Sequence, residues 1–288
     1  MDKYTGIFAT SGAVQEAVNN DSLHKPYIAI VQDGNYLDWN TKEKEGPVGP
    51  VYSAMPLTFE ILSAGNIYWK AQNGNYTKTI DYKKNEGEWT SITSTSNGVA
   101  ISVVAGDILQ FRGDNAQYAP EDGKCNTFTG STARFNVYGN IMSMISSTGF
   151  TGLTAFTQPN VFMNFFNNCV KMIDASNLIL PAIGLSEFCY QGMFANCTGL
   201  TSGTPVFSAT ELVTGCYNYL FYQSRNVSRI TCLGLNPTAT TSAANSNVFY
   251  ITHSVSSTGT FIKNPNATNW RRDGSGIPSN WTVVDADI

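Results

Sequence analysis

Charge is the scarcest feature of this chain: Asp, Glu, Lys and Arg make up 13% of its 288 residues, against roughly 25% for an ordinary globular protein. Its exterior must therefore be dressed in Ser, Thr, Asn and Gly. The 17 basic residues are outnumbered by 21 acidic ones, for a net charge of -4, so no basic surface stands ready to displace counterions from phosphate. Nucleic acid is not an expected partner. The longest charge run, Lys42-Glu43-Lys44-Glu45, alternates in sign and reads as a solvated loop. Histidine is nearly missing, with only His24 and His253, and no two cysteines have the C-x-x-C spacing of a zinc site. Neither a metal nor another cofactor is expected.

No run of 18 apolar residues occurs, which leaves no candidate for a membrane-spanning helix. The start, Met1-Asp2-Lys3-Tyr4-Thr5-Gly6, lacks the apolar core of a secretory signal, so the expectation is a protein made and folded in a cytoplasm. The sequence also carries no G-x-S-x-G elbow, P-loop, H-E-x-x-H or dinucleotide fingerprint. Separated carboxylates such as Glu60, Asp81, Glu88, Asp107 and Asp174 are the remaining candidates for an acid–base pair of the glycosidase kind. Glu60, Asp81 and Glu88 fall at the polar phase of strands and Asp107 in a turn, so the chain is expected not to be an enzyme.

What is present is apolar mass: 42% hydrophobic residues and 12% aromatics, enough for a large core in two or three units at roughly 150 residues each. Residues 1–46 read as an anchor segment. Ser11 is placed to cap a short helix with Val14, Ala17 and Val18 on one face, and Asp33-Gly34 joins two β-rich runs, 27–31 and 36–39, as a hairpin. The Gly46-Pro47-Val48-Gly49-Pro50 stretch reads as a linker. Over 47–120 the alternation of apolar and polar residues predicts strands at 57–62, 67–71, 78–83, 88–92, 99–104 and 108–112. Turn signals separate them at Asn73-Gly74, Asn85-Glu86-Gly87 and Ala105-Gly106-Asp107. Short, evenly spaced strands of this kind predict an antiparallel, immunoglobulin-like sandwich.

Residues 121–240 form a third region, whose later part carries repeats. Phe165-Phe166-Asn167-Asn168-Cys169 aligns with Met193-Phe194-Ala195-Asn196-Cys197, and then with Leu220-Phe221-Tyr222-Gln223-Ser224, at spacings of 28 and 27 residues. A unit this short cannot bury its apolar side alone, so neighbours stack into one core. The expected fold is therefore multidomain and mainly β: a small N-terminal anchor, the sandwich, a short leucine-rich-repeat-like solenoid, and a C-terminal cap over 241–288. Asn168 and Asn196 are expected to hydrogen-bond backbone groups between rungs. Four of the six cysteines recur with the repeat, Cys169 with Cys197 and Cys189 with Cys216, so all six, with Cys125 and Cys232, read as buried free thiols. Repeat three, with Gln223-Ser224 in place of Asn-Cys, reads as a degenerate capping unit.

Polar aromatics and arginines cluster in that last repeat. Tyr217, Tyr219, Tyr222, Arg225 and Arg229 are the expected ligand-binding residues, and Trp270 is a further exposed candidate.

The run Cys189-Tyr190-Gln191-Gly192-Met193-Phe194-Ala195-Asn196-Cys197-Thr198-Gly199-Leu200, whose start returns at Cys216-Tyr217-Asn218, resembles the BspA-like leucine-rich repeats of gut Bacteroidales and their phages. The match covers about residues 160–235. The segment 257–283, with Trp270 and Trp281, is similar to what commonly follows those repeats. The leader, Gly6-Ile7-Phe8-Ala9-Thr10-Ser11 through Pro26-Tyr27-Ile28-Ala29, resembles the N-termini of virion proteins from crAss-like and related phages. These resemblances imply a structural virion protein, a head- or tail-attached fibre or decoration subunit made in the host cytoplasm. Its leader would hold capsid or tail proteins, and its repeats would bind a bacterial surface or gut glycan. Fibres of this kind imply a homo-oligomer, a trimer by expectation. The alternative is a bacterial surface adhesin or glycan-binding protein whose signal peptide is missing from the sequence.

Overall fold

The computed structural model describes residues 51–238, 246–248 and 250–288, together with strand segments 7–8, 28–31 and 36–38. It has two compact units, Met1–Val51 and Tyr52–Ile288, and is mainly β, built from several sheets. In the first unit β1 (Ile7–Phe8) runs parallel to β2 (Ile28–Val31), which pairs antiparallel with β3 (Tyr36–Asp38) in the register Ile28 to Asp38 and Ile30 to Tyr36. The expected strand pair of the hairpin is present. The expected helix after Ser11, the Asp33-Gly34 turn and His24 lie outside the described residues.

The second unit opens with the strands that alternation predicts: β4 (Leu57–Ile61), β5 (Gly65–Ala71), β6 (Thr79–Lys84), β7 (Thr90–Thr93), β8 (Val99–Val103) and β9 (Ile108–Arg112). Period two decides their inward faces: Leu57, Phe59 and Ile61, then Ile67, Trp69 and Ala71, then Leu109 and Phe111 are buried. After them come β10 (Asn126–Thr127), β11 (Phe135–Asn140) and β12 (Met172–Ile179). One sheet has the order β12-β11-β4-β9-β6-β7, the other β10-β5-β8. Both feed one core, where Phe128 meets Phe59, Phe111 and Trp69 at 4.9, 4.8 and 4.9 Å between ring centroids. Phe128 and β11 follow residue 120, so the core runs through that position without a break. β11 pairs antiparallel with β4 and parallel with β12, and this carries the sheet into the second half.

The turn before β9 holds an ion pair in which the Asp107 carboxylate is buried and the Lys84 side chain is 38% exposed. Asp107 accepts from Lys84 Nζ at 2.8 Å, from the Val104 N–H at 2.8 Å and from Asn85 Nδ2 at 2.9 Å. The Lys84 ammonium, helped by these two donors, holds the Asp107 carboxyl down from 3.8 to about 2. A carboxyl whose pKa is lower in the folded state contributes stability that is complete above its ordinary value near ~4 and is lost as pH falls toward 2. Denaturation midpoints measured from pH 5 to pH 2 should therefore fall less steeply for Asp107→Asn than for the wild type.

From residue 160 onward the chain forms stacked coils. Phe162, Asn164, Phe166 and Asn168 donate their N–H groups to the carbonyls of Cys189, Gln191, Met193 and Ala195 at 2.7, 2.8, 3.0 and 2.8 Å. Tyr190, Gly192, Phe194 and Asn196 donate likewise to Cys216, Asn218, Leu220 and Tyr222. Residues between them, such as Phe165 and Cys169, bond three residues back within their own coil. Every fourth residue of this turn ladder is left-handed, with φ between 53° and 65°: Asn160, Asn164 and Asn168, then Phe188, Gly192 and Asn196, then Gly215, Tyr219 and Gln223. Asn and Gly are the residues that enter this region most readily, which explains Asn168 and Asn196. Their expected role is corrected in part, because the Asn196 side chain donates to Asn167 Oδ1 at 3.3 Å and not to backbone.

A fourth coil follows. Tyr217, Phe221 and Gln223 donate to Asn247, Ile251 and His253, and Tyr250 and Ser254 continue the left-handed positions 31 residues after Tyr219 and Gln223. Each coil also brings a strand to a second side of the stack, where β13 (Val206–Phe207), β14 (Arg229–Cys232), β15 (Thr260–Lys263) and β16 (Thr282–Asp285) pair in parallel in chain order. Inside, like side chains stack. Phe194 lies between Phe166 at 5.6 Å and Phe221 at 5.5 Å, and Tyr190 between Phe162 at 6.1 Å and Tyr217 at 6.0 Å.

All six cysteines are buried and free, and three positions in one column do more than fill space. Cys169 Sγ donates to the Phe128 carbonyl at 3.3 Å, Cys197 Sγ to Phe166 at 3.1 Å, and Ser224 Oγ to Phe194 at 2.6 Å. Ser224 Oγ also accepts the Cys197 N–H at 3.0 Å. Repeat three is thus equivalent to the others at this column, with hydroxyl in place of thiol. Ser224→Ala would strand a buried carbonyl and a buried N–H and should cost about 1–3 kcal/mol in urea denaturation, whereas Ser224→Cys should cost much less. Burial pushes the Cys125 thiol up to about 11 and those of Cys189, Cys197 and Cys232 to about 12, with Cys169 and Cys216 also raised well above 9.0. Because the thiolate is the nucleophile, alkylation of the native protein at pH 8 should run at least about a hundredfold slower than in guanidinium. Mass spectrometry should count six modified thiols only in the denaturant.

Candidate functional site

The turn ladder presents its outward side chains in columns, one residue per coil. One column reads Asn164, Gly192, Tyr219, Tyr250, and another reads Asn167, Ala195, Tyr222, His253, as the coil-to-coil hydrogen bonds align them. The first coil contributes amides and the third and fourth contribute aromatic rings. Between them the second coil offers only a glycine and a methyl group. The result is a trench of about 380 Å³ whose floor is Gly192 and Ala195, flanked by Gln191 and Asn196. Asp122, Gln72, Asn164 and Asn167 line one wall, and Tyr219 and Tyr222 line the other.

The amide wall is held by its own hydrogen bonds. Asn196 Nδ2 donates to Asn167 Oδ1 at 3.3 Å, Asn167 Nδ2 to Asn164 Oδ1 at 3.0 Å, and Asn164 Nδ2 to Asp122 Oδ1 at 3.2 Å. Gln72 Oε1 accepts the N–H of Cys125 at 3.2 Å, and Cys125 Sγ in turn accepts from Asn164 Nδ2 of the first coil at 3.6 Å. Gly192 is required here twice over, because its φ is +61° and a Cβ would land on Asn164 Oδ1. The aromatic wall is equally ordered. His253 stacks on Tyr222 at 5.2 Å and 12°, Tyr250 stacks on His253 at 4.5 Å, and Tyr219 meets Tyr222 edge-on at 5.6 Å and 80°. His253 covers the Tyr222 face turned toward the fourth coil. Ala195, one coil back in the same column, is 3% exposed, and Tyr222 itself is half-buried.

Of the six residues expected to bind a ligand, Tyr219 and Tyr222 line this trench. Arg225 is exposed and donates from Nη2 to Gln223 Oε1 at 3.1 Å. Arg229 opens β14 on the strand side and lines a separate shallow pocket with Leu200 and Val227. Tyr217 is a core residue, 1% exposed and stacked on Tyr190, since the ladder turns it inward. Trp270, expected at the surface beside Arg271 and Arg272, is 9% exposed and packs edge-on against Phe261 of β15 at 4.8 Å. Gln72, Asp122, Asn164, Asn167, Gln191, Tyr250 and His253 were not expected at the site. Asn167, Ala195 and Tyr222 are in register in the repeat alignment, so that column was legible. The fourth coil was hidden by its 31-residue spacing.

Of the separated carboxylates, Asp81, Asp174 and Glu60, like Asp107, have local partners. Asp81 pairs with Arg112 at 3.2 Å, Asp174 accepts the Ser176 N–H at 2.8 Å, and Glu60 accepts from Asn136 at 2.9 Å. Among the described residues no three His, Cys, Asp or Glu side chains gather as metal ligands, and no helix is long and apolar enough to cross a membrane. No family model matches the chain, and no curated protein or solved structure matches it significantly.

Proposed function

We propose that this chain is a structural attachment protein of a bacteriophage particle, a capsid- or tail-borne fibre or decoration subunit whose repeat region binds a bacterial surface or gut glycan. The carrying observation is the trench on the turn ladder, where amides face tyrosines across a glycine and an alanine. Concave sites with a few convergent polar groups and aromatic walls suit ligand recognition, and Tyr supplies rigid contact area at low entropic cost. The stacked coils are read as a short leucine-rich-repeat-like solenoid of the BspA type, and strands β4 to β9 as part of an immunoglobulin-like sandwich that carries it. The leader, by its resemblance to phage virion proteins, is the segment that engages capsid or tail proteins, and the assembled subunit is a trimer. In this reading the chain performs no catalysis and needs no cofactor. Immunogold labelling of purified particles with antibody raised against the full chain tests the proposal. Gold on capsids or tails is the expected result, and particles without label would overturn it in favour of a cellular adhesin.

A further inference from the structure

The second coil leaves a gap in a column that the other coils fill. Above Ala195 stands Asn167, below it stands Tyr222, and the Tyr222 ring is backed by His253. A flat ring of about one side chain's depth entering this slot would continue the stack. The slot also has a chemical character. Its lining holds five carboxamides, Gln72, Asn164, Asn167, Gln191 and Asn196, and one carboxylate, Asp122, and includes no Lys or Arg. Carboxamides both donate and accept hydrogen bonds, which matches hydroxyl groups that also do both. Asp122 and the missing cations disfavour phosphate, sulfate or uronate. The Tyr222 ring offers a C–H-binding face to an apolar ring surface, and the volume is near the small end of the ~300–1,000 Å³ typical of ligand sites.

We propose that the trench over Gly192 and Ala195 is a saccharide subsite for an uncharged pyranose, stacked on Tyr222 and hydrogen-bonded along Asn164, Asn167, Gln191 and Asn196. This rests on the surface-binding reading above and narrows it to one site and one ligand class. Tyr219 walls the far end, edge-on to Tyr222, and His253 supports the platform from behind.

The test uses the full-length chain with gluco-, galacto- and manno-oligosaccharides as probes, polygalacturonate as the anionic comparison, and calorimetry as the readout. Two variants carry it. Ala195→Asn fills the slot with the residue that the same column already has at Asn167, and Tyr222→Asn removes the platform; because Ala195 is 3% exposed and Tyr222 stacks on His253, both should melt below the wild type, and binding is measured well below either transition. Binding of at least one neutral series, little binding of polygalacturonate, and a loss of at least tenfold in both variants are expected. Equal binding by wild type and variants, or preference for polygalacturonate, would overturn the subsite. If no neutral sugar binds while the protein still binds whole bacteria, the subsite is overturned and the attachment reading stands with a protein receptor. Absence of binding to both sugars and cells would overturn both.

Discussion

Gly139→Ala is expected to destabilise the second unit by about 2–5 kcal/mol, in spite of adding a single methyl group. Gly139 lies in β11, between β4 and β12, with φ at +86°, and a Cβ there would fall on the Pro56 carbonyl. That carbonyl cannot retreat cheaply. Its neighbour Asn140 is 2% exposed, donates its N–H to the Met55 carbonyl at 2.8 Å and its Nδ2 to the Ser53 carbonyl at 3.1 Å, and accepts the Met142 N–H at 3.0 Å. The left-handed strain on an L residue is worth about 1–2 kcal/mol, and disturbing one of these buried hydrogen bonds adds about 1–3 kcal/mol. Gly106→Ala is the matched control. It has the same φ within a few degrees, at +89°, and nothing within 4 Å of its would-be Cβ, so only the strain of about 1–2 kcal/mol should be seen. Urea denaturation of the two variants separates clash from strain.

The second large effect is expected at the aromatic stack. Phe194 is fully buried, parallel to Phe166 and Phe221 and edge-on to Phe207 at 6.5 Å. Truncating it to Ala removes contacts to both neighbouring coils at once and leaves a cavity that the surrounding rings, fixed by coil-to-coil hydrogen bonds, cannot collapse to fill. Phe→Ala changes of this kind cost about 3–5 kcal/mol. In a stack whose stability is largely a sum over nearest-neighbour interfaces, losing two interfaces should also weaken cooperativity, read as a smaller dependence on urea than in the wild type. Val170→Ala, at a position 39% exposed beside the same coils, should stay within about 0.5 kcal/mol.

The strands of the first half were legible because period two separates their faces cleanly: Ile67, Trp69 and Ala71 go inward while Tyr68 and Lys70 do not. The turn ladder obeys another rule. With every fourth residue left-handed, side chains two apart are split between inside and outside, so Tyr217 is buried while Tyr219 lines the trench. Tyr217 was expected beside Tyr219 because polar aromatics cluster in that repeat, and residue type alone does not separate the two phases of the ladder. The register of coils was readable from Phe166, Phe194 and Phe221, but the longer segment before Val248 moved the next coil out of register and concealed Tyr250 and His253. Trp270 misled because two arginines follow it. Arg272 turns back instead, donating to the Ser279 and Trp281 carbonyls, and the indole goes to the core. The amide wall depended on Gln72 and Asp122, which come from outside the repeats and are brought to the first coil by tertiary packing that no periodicity records.

The account turns on whether the ladder face is what meets a bacterial surface. Its most direct test is saturable binding of the labelled full-length chain to whole gut Bacteroidales cells, measured side by side for the wild type and for Ala195→Asn. Binding by the wild type and at least tenfold weaker binding by the variant, with both proteins folded at the assay temperature, is the predicted result. Equal binding by the two proteins, or none by the wild type, would contradict it.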